Sequence, residues 1–317
     1  MKPPLWSIIP LSVSVSNTVV SDPGVIVGSL RQHSFTAMAS PCCFHLPEDT
    51  PAELIAAMEG EVRRIEQKYS RYRDDSVVSQ INQSAGSASV KVDNETLWLL
   101  QYAQVCFEQS DGLFDITSGI LRRVWDFKAG TLPSDAQLED VIPHIGLNRL
   151  DISKGCVTLP EGMEIDFGGI GKEYAADAAA GVARSGGITS GIIDLGGDLH
   201  ILGPKADDSP WVLGVRNPRD PEQAIASLPA YRGGMASSGD YERYFEQNGE
   251  RYCHILNPQT GRPVSYWASV TVLAPSCLLA GTLSTIAMLK EGAGEGWLRE
   301  QEVSALLIRP DLELVSF

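Results

Sequence analysis

The sequence predicts a single α+β domain with mixed or antiparallel sheets and helices packed against them. Two amphipathic helical patterns, a third long helical pattern near the C-terminus and several short apolar runs between glycine-containing turns predict this class. The predicted helices and strands do not alternate as a βαβ repeat, which argues against a doubly wound parallel sheet. No repeat or low-complexity linker divides the chain after residue 34. We therefore predict an extension at 1–33, without clear structure, and one domain at 34–317.

Apolar residues spaced three or four positions apart place the helices, and short apolar runs between turn residues place the strands. The predicted helices cover 51–69, 77–82, 94–110, 171–185 and 278–290. The predicted strands cover 34–46, 191–195, 199–203, 211–215, 269–273 and 305–308, and a hairpin is predicted to pair 157–159 with 163–167.

The charge balance limits the classes of partner. The 25 basic and 40 acidic residues give a net charge of −15. A body this acidic repels nucleic acid and anionic membrane surfaces. Any phosphate ligand must therefore be bound locally, by backbone N–H groups, a few cations or a metal ion.

Two further features bear on location. No run of 18 apolar residues is present, so no membrane-spanning segment is predicted. The semi-apolar run at 5–20 is broken by Pro10 and several serines, unlike an export signal. We expect a cytoplasmic protein, with the periplasm as the alternative. The six cysteines contain no CxxC pair, which favours reduced thiols over a zinc site.

A glycine-rich segment leads into the predicted helix at 171–185. It reads Asp166-Phe167-Gly168-Gly169-Ile170-Gly171-Lys172. Glycines before a helix N-terminus let backbone N–H groups approach an anion, and Lys172 adds a positive charge. The spacing matches neither the Walker A motif nor the dinucleotide fingerprint. A tight strand–helix turn is the alternative interpretation.

Two other polar segments each have a structural explanation beside the functional one. Asp115 and Thr117, in the segment 114–119, can bond a ligand or their own backbone in a turn. The segment 194–198 contains Gly196-Gly197, which permits a close backbone approach or simply a tight hairpin.

The last two segments lie towards the C-terminus. His254 is predicted to lie in an apolar strand that a Pro/Gly turn follows, so it is a candidate base or phosphate donor, or else a buried core histidine. Gly281 and Thr285 are four residues apart on a predicted helix and share one face. That face is either a ligand site or a small-residue packing surface.

Taken together, in this order and spacing, these segments resemble the ApbE family of FAD:protein FMN transferases. The resemblance runs from about Phe35 to Ala293. It includes the segments 35–38, 72–82, 114–117, 166–177, 194–198, 238–241, 254–261 and 283–285, together with Trp125.

The resemblance implies a fold and an activity. The fold is a single-domain α+β architecture, related to the T-fold, with FAD bound in a cleft. The activity cleaves the FAD pyrophosphate with the help of Mg²⁺, moves FMN to a Ser or Thr hydroxyl of a partner protein and releases AMP. The implied partners are FAD and an acceptor protein carrying that hydroxyl, and a second copy of the chain, forming a homodimer, is a further candidate.

The resemblance also implies site residues. His254 and Lys172 are the candidate catalytic residues, in roles that the sequence leaves open. The implied contacts to FAD are Met38, Tyr72, Asp115, Ile116, Thr117, Asp166, Ser238, Gly239 and Ile255. Among these, Asp166 is expected on the adenine or ribose side, and Ile255 is expected to line the far wall with His254.

The implied metal site departs from the family in one ligand. Gly169 would supply a backbone carbonyl and Thr285 a hydroxyl, but Gly281 occupies the position of a helix aspartate. Magnesium prefers one or two carboxylates among its oxygen ligands. Three hypotheses stay open: a transferase in which Asp198 or Asp240 replaces the missing carboxylate, an FAD-binding protein with little transfer activity, and an FAD pyrophosphatase.

Overall fold

The computed structural model describes residues 30–317, and the central feature of this part is an eight-stranded sheet. Its strand order is β1-β2-β6-β7-β10-β13-β14-β15, and every neighbouring pair is antiparallel. The strands of this sheet are β1 Arg31–Ala37, β2 Ser40–Leu46, β6 Gly191–Leu195, β7 Asp198–Gly203, β10 Gly233–Gly239, β13 Ser269–Ala274, β14 Ser304–Ile308 and β15 Leu314–Ser316.

Three smaller sheets complete the β-structure of the described residues. They have the strand orders β3-β5-β4, β8-β9 and β11-β12. Their strands are β3 Val90–Lys91, β4 Asp151–Ser153, β5 Cys156–Thr158, β8 Trp211–Asn217, β9 Asp220–Ala230, β11 Tyr244–Gln247 and β12 Glu250–Cys253. The α+β class and the antiparallel pairing are confirmed.

Helices cover one face of the large sheet. Within residues 30–317, no helix combines the length and apolar character needed to cross a bilayer. The α-helices are α1 Ala52–Tyr69, α2 Val77–Gln83, α3 Asn94–Gln109, α4 Asp135–Val141, α5 Gly171–Ser185, α6 Cys277–Leu289 and α7 Gly294–Glu300. Short 3₁₀-helices lie at Ser118–Arg123, Ile142–His144, Leu147–Arg149 and Glu291–Ala293.

The alternation of side chains along β6 shows how the two faces are filled. Ile193 and Leu195 join the core that contains α1, α3 and α5. The side chain of Ile192 points to the opposite face and joins a second core with Trp211 of β8 and Leu228 of β9. Because successive strand residues point to opposite faces, the β8–β9 hairpin covers the face that the helices leave open.

Two predicted strands are wrong. Residues 34–46 form the β1–β2 hairpin and not one strand, because Met38 and Ala39 adopt left-handed φ angles of 52° and 56°. Residues 163–167 form no strand: Ile165 donates its N–H to the Asn82 side chain, and Asp166 donates its N–H to the Ile116 carbonyl. The strand at 156–158 pairs instead with β4, upstream of it.

The remaining predictions of position agree closely with the structure. The helix predicted at 171–185 and the strand predicted at 191–195 have the observed bounds. The strands β9 and β10 were not predicted, since β9 carries two prolines and β10 consists mostly of glycine and serine. The extension predicted at 1–33 lies outside the described residues up to position 29, and β1 begins at Arg31.

Helix α6 lies directly against β10, and a glycine makes this approach possible. A Cβ placed on Gly234 would lie 2.2 Å from the Cys277 backbone nitrogen and 2.3 Å from the Ser276 carbonyl carbon. The first turn of α6 is also bound to α5: Asp177 accepts the N–H groups of Cys277 at 2.8 Å and Leu278 at 3.0 Å. These contacts fix the helix that carries Gly281 and Thr285.

We predict that Gly234→Ala lowers the free energy of unfolding by about 3 kcal/mol, because the new methyl group meets backbone atoms that have no room to move. Urea unfolding measures the change. The matched control is Gly181→Ala in α5, where a Cβ has nothing within 4 Å. That substitution is expected to raise the free energy of unfolding by about 0.5–1 kcal/mol, since alanine is the better helix former. Equal midpoints for Gly234→Ala and the unmodified chain would contradict the close approach.

Candidate active site

Three of the polar segments meet at one end of the large sheet. The turn between β1 and β2 reaches the turn between β6 and β7: a Cβ placed on Gly196 would lie 2.8 Å from the Cβ of Ser40. Lys172, in the first turn of α5, places its Nζ 3.5 Å from the Gly196 carbonyl oxygen. The region around Met38, the glycine-rich segment and the Gly196-Gly197 turn therefore form one wall of a site.

The second wall is a cluster of hydroxyl groups between β10 and α6. The Oγ of Ser238 lies 2.9 Å from both the Ser284 Oγ and the Thr285 Oγ1. The Ser284 hydroxyl also donates to the Gly281 carbonyl at 3.0 Å. Because α6 crosses β10 closely, two residues 47 positions apart, Ser238 and Thr285, come within hydrogen-bond distance of each other.

Lys172 is held by a buried carboxylate. Its Nζ lies 2.8 Å from the Asp198 Oδ2, and Asp198 is buried. Burial by itself would lower the pKa of Lys172, but the attraction of Asp198 and then of Glu173 outweighs it and raises the pKa above its ordinary value. The ammonium group stays charged at neutral pH, which suits neutralisation of a phosphate and not proton abstraction.

His254 carries the opposite electrostatic signature. Burial, followed by the positive charge of Arg243, lowers the pKa of His254 to about 4. Its Nδ1 is buried without a hydrogen-bond partner. The imidazole is therefore neutral near pH 7 and can accept a proton. This electrostatic state favours a base over a charged phosphate donor, and a role for His254 in catalysis stays a prediction.

Asp115 and Thr117 bond to the protein itself. The Asp115 Oδ1 accepts the Thr117 N–H at 2.7 Å and its hydroxyl at 2.6 Å, and the Oδ2 accepts the Leu147 N–H at 3.1 Å. The Thr117 Oγ1 in turn accepts the Gly146 N–H at 2.8 Å. The structure thus shows the turn interpretation of this segment, and contact of Asp115, Ile116 or Thr117 with a flavin stays a prediction.

Asp166 pairs with a residue that the sequence did not single out. Arg71 forms an ion pair with the Asp166 carboxylate, which also accepts the Gly168 N–H at 2.9 Å. The same guanidinium lies over the Tyr72 ring, 4.9 Å from its centroid. Tyr72 is 78% exposed, so the rest of its ring is accessible to a ligand. Arg71 could have been identified from the sequence, because it is a basic residue directly before Tyr72 in a polar turn.

The other residues implied to contact FAD lie in different environments: a turn, the end of a strand and a hydrophobic core. The backbone N–H of Met38 donates to the Glu66 Oε1 at 2.6 Å, in the hairpin turn. Gly239 ends β10 and packs against the Tyr241 ring. Ile255 is buried in a core with Leu283 of α6. Their contact with a flavin stays a prediction.

The two carboxylates proposed as substitutes in the metal site are already paired. Asp240 accepts two hydrogen bonds from Arg219, at 2.7 and 2.8 Å. Asp198 is held by Lys172. Each carboxylate therefore has its charge balanced by a cation of the protein itself.

A different carboxylate occupies the space in front of Gly281. Glu173, in the first turn of α5, is 8% exposed, and its Oε2 is buried without a partner. A Cβ placed on Gly281 would lie 2.6 Å from the Glu173 Cγ and 2.9 Å from its Oε1. Burial, followed by the charge of Asp198, raises the pKa of Glu173 to about 7.

Sequence reasoning missed Glu173, although it directly follows Lys172 in the glycine-rich segment. Within residues 30–317, no three His, Cys, Asp or Glu side chains come together as a metal centre. A divalent cation here would therefore need hydroxyl and carbonyl oxygens as well. Thr285, Gly169 and Glu173 each carry hard oxygens of the kind that Mg²⁺ prefers, and a metal site built from them stays a prediction.

Comparison with known proteins gives consistent matches over most of the chain. The model of the ApbE family matches residues 34–307. A protein of Klebsiella pneumoniae named FAD:protein FMN transferase is 31% identical over 300 residues, covering 90% of this chain and 92% of that protein. A Vibrio cholerae protein of the same name is 30% identical over 257 residues, covering 78% of this chain and 76% of that protein.

Solved structures show the same fold. The crystal structure of an ApbE protein from Thermotoga maritima superposes with a TM-score of 0.83 at 32% identity, covering 91% of this chain and 97% of that chain. The flavin transferase ApbE from Vibrio cholerae superposes with a TM-score of 0.80 at 26% identity, covering 91% and 96%.

We predict a pH dependence of stability that His254 causes. Its pKa is about 4 in the folded chain and about 6.5 when unfolded. Between these values the unfolded chain binds more protons, so the stabilisation is complete above pH 6.5 and is lost as the pH falls towards 4. The difference in unfolding free energy between the unmodified chain and His254→Gln should shrink by up to about 1.4 kcal/mol per pH unit in that window.

Urea unfolding at intervals from pH 4.5 to 7.5 measures this difference, and His144→Gln is the control histidine variant. A pH-independent difference between His254→Gln and the unmodified chain would show that the His254 ring is solvated and ordinary.

Proposed function

The chain belongs to the ApbE family, and we propose that it transfers FMN from FAD to a Ser or Thr hydroxyl of a partner protein, releasing AMP. The observation that carries the proposal is the meeting of the α5 N-terminus, with its charged Lys172, and the hydroxyl cluster of Ser238 and Thr285. The Glu173 carboxylate against Gly281 links these two walls. The relatives named FAD:protein FMN transferase support the same reaction.

The reaction is a phosphoryl transfer. The acceptor hydroxyl oxygen bonds to the phosphorus of the FMN half, and the bond from that phosphorus to the bridging oxygen breaks. The bridging oxygen leaves on AMP with the bonding electrons. Positioning and charge neutralisation supply most of the rate enhancement in such reactions.

Each site residue has its own role in the proposed reaction. Lys172 neutralises phosphate charge, because its ammonium group is held charged beside Asp198. His254, neutral near pH 7, takes the proton of the acceptor hydroxyl. Arg71 and Asp166 bind the adenine or ribose side of FAD, and Tyr72, beneath Arg71, offers an exposed ring to the flavin.

A bound Mg²⁺ would neutralise charge on the pyrophosphate oxygens. The chain would hold it with the Gly169 carbonyl, the Thr285 hydroxyl and a carboxylate. In a protein of net charge −15, this neutralisation matters more than in a basic one, because the overall field repels FAD.

Two alternative functions differ from transfer in their products. An FAD-binding protein would hold FAD and release nothing, and an FAD pyrophosphatase would release FMN and AMP to water without an acceptor. The acceptor protein, a homodimer and a cytoplasmic location are predictions that accompany the proposal.

The test is to incubate the protein with FAD and Mg²⁺, with and without a panel of Ser- and Thr-containing acceptor peptides. We expect AMP release that depends on the peptide and flavin fluorescence on the peptide. AMP and free FMN without peptide would establish the pyrophosphatase, and bound FAD without AMP would establish the binding protein.

We predict that Lys172→Met combined with Asp198→Asn slows AMP release on the order of 10²-fold, because one preorganised charge at the phosphates is lost. The double variant avoids leaving the buried Asp198 carboxylate unpaired. The control is Lys91→Met, an exposed lysine of β3. Unchanged AMP release in the double variant would remove Lys172 from the mechanism.

A further inference from the structure

The Glu173 carboxylate has a buried oxygen that no other group in the described part of the chain bonds. Among the buried side-chain atoms without a partner in residues 30–317, the Oε2 of Glu173 is the only carboxylate oxygen. A carboxylate taken out of water is costly unless it is paired with a cation or coordinates a metal. At 8% exposure, Glu173 can avoid a buried charge in two ways: it can take up a proton, which its raised pKa favours, or bind a cation that displaces the proton.

The neighbouring carboxylates have partners. Asp198 is paired with Lys172, and Asp240 with Arg219. Asp177 accepts the N–H groups of Cys277 and Leu278 and bonds to His200. These groups have little capacity left for a divalent cation, and Glu173 has a free oxygen.

The Glu173 carboxylate faces helix α6. The carboxylate lies against Gly281 of α6, with the Glu173 Oε1 2.9 Å from where a Cβ would be. Thr285 is one helical turn further along the same face of α6. The Glu173 side chain thus arrives from α5 at the place where a side chain at position 281 would begin.

We propose that Glu173 supplies, from helix α5, the carboxylate ligand of the divalent cation, and that residue 281 is glycine because the Glu173 side chain occupies its side-chain space. This inference rests on the proposed function for the presence of the cation. Glu173 thereby takes the role of substitute carboxylate that the sequence-based hypothesis gave to Asp198 or Asp240.

The geometry has a consequence for restoring an aspartate on α6. In Gly281→Asp, the new Cβ would lie 2.6 Å from the Glu173 Cγ, closer than side-chain atoms approach in proteins. The single substitution is therefore expected to disturb the site and not to strengthen it. In Glu173→Ala combined with Gly281→Asp, the space is free and the carboxylate moves from one helix to the other.

The experiment measures cation binding directly, with no acceptor and no turnover. Full-length protein saturated with FAD is titrated with Mn²⁺ by electron paramagnetic resonance and with Mg²⁺ by calorimetry. We expect Glu173→Gln and Glu173→Ala to weaken binding roughly 10- to 100-fold, the range seen when the groups that support a metal site are lost. The variant that combines Glu173→Ala with Gly281→Asp, the double exchange, should bind the cation with an affinity within about threefold of that of the unmodified chain.

Thermal unfolding supplies a second readout. Without a divalent cation, Glu173→Gln should unfold at the same temperature as the unmodified chain or higher, because a buried unpaired charge is removed. With saturating Mg²⁺, only the unmodified chain and the double exchange should gain stability. The matched control is Glu300→Gln at the exposed end of α7, which should change neither readout.

Three results would overturn the inference. They are cation binding by Glu173→Gln as tight as that of the unmodified chain, a folded double exchange that fails to recover binding, and no cation binding by the FAD-loaded unmodified chain. Cation binding that depends on Glu173, in a protein that releases no AMP, would remove the proposed function and leave the inference standing.

Discussion

The positions of Gly281 and Thr285 at this site depend on the attachment of helix α6 to its neighbours. Asp177 of α5 accepts the first N–H groups of α6, and Gly234 of β10 lets the helix approach the strand at backbone distance. These N–H groups have no partner within the helix itself, so an external carboxylate stabilises the helix end. The same carboxylate that fixes α6 also fixes its register relative to α5, and with it the distance from Glu173 to Gly281.

The charged side chains at the site form individual ion pairs between acidic and basic residues. The chain is strongly acidic, yet Asp198, Asp166 and Asp240 each hold a cation of the protein itself. Such pairing orients Lys172 and Arg71 and raises the pKa of Lys172. Under the proposed function, these few oriented groups would bind the negatively charged FAD against the repulsion of the rest of the surface.

Much of the fold could be predicted from periodicity and turn residues. The helix at 171–185 was predicted to the residue, because its alanine-rich pattern and preceding glycines are local signals. The strand predicted at 163–167 failed because its backbone groups bond to Ile116 and Asn82, which are distant in sequence. The strand β10 was missed because glycine and serine carry no strand signal, and it is packing under α6 that makes a strand of them.

The sequence by itself determined the family and the class of fold, because these depend on order and spacing along the chain, and its site residues stay predictions. It also singled out Gly281, where the family resemblance implies an aspartate. Only the tertiary structure decided which side chain occupies the space in front of Gly281. Glu173 and Gly281 are 108 positions apart, and no local pattern relates them. The two helices bring them into contact, and one side chain fits only because the other has none.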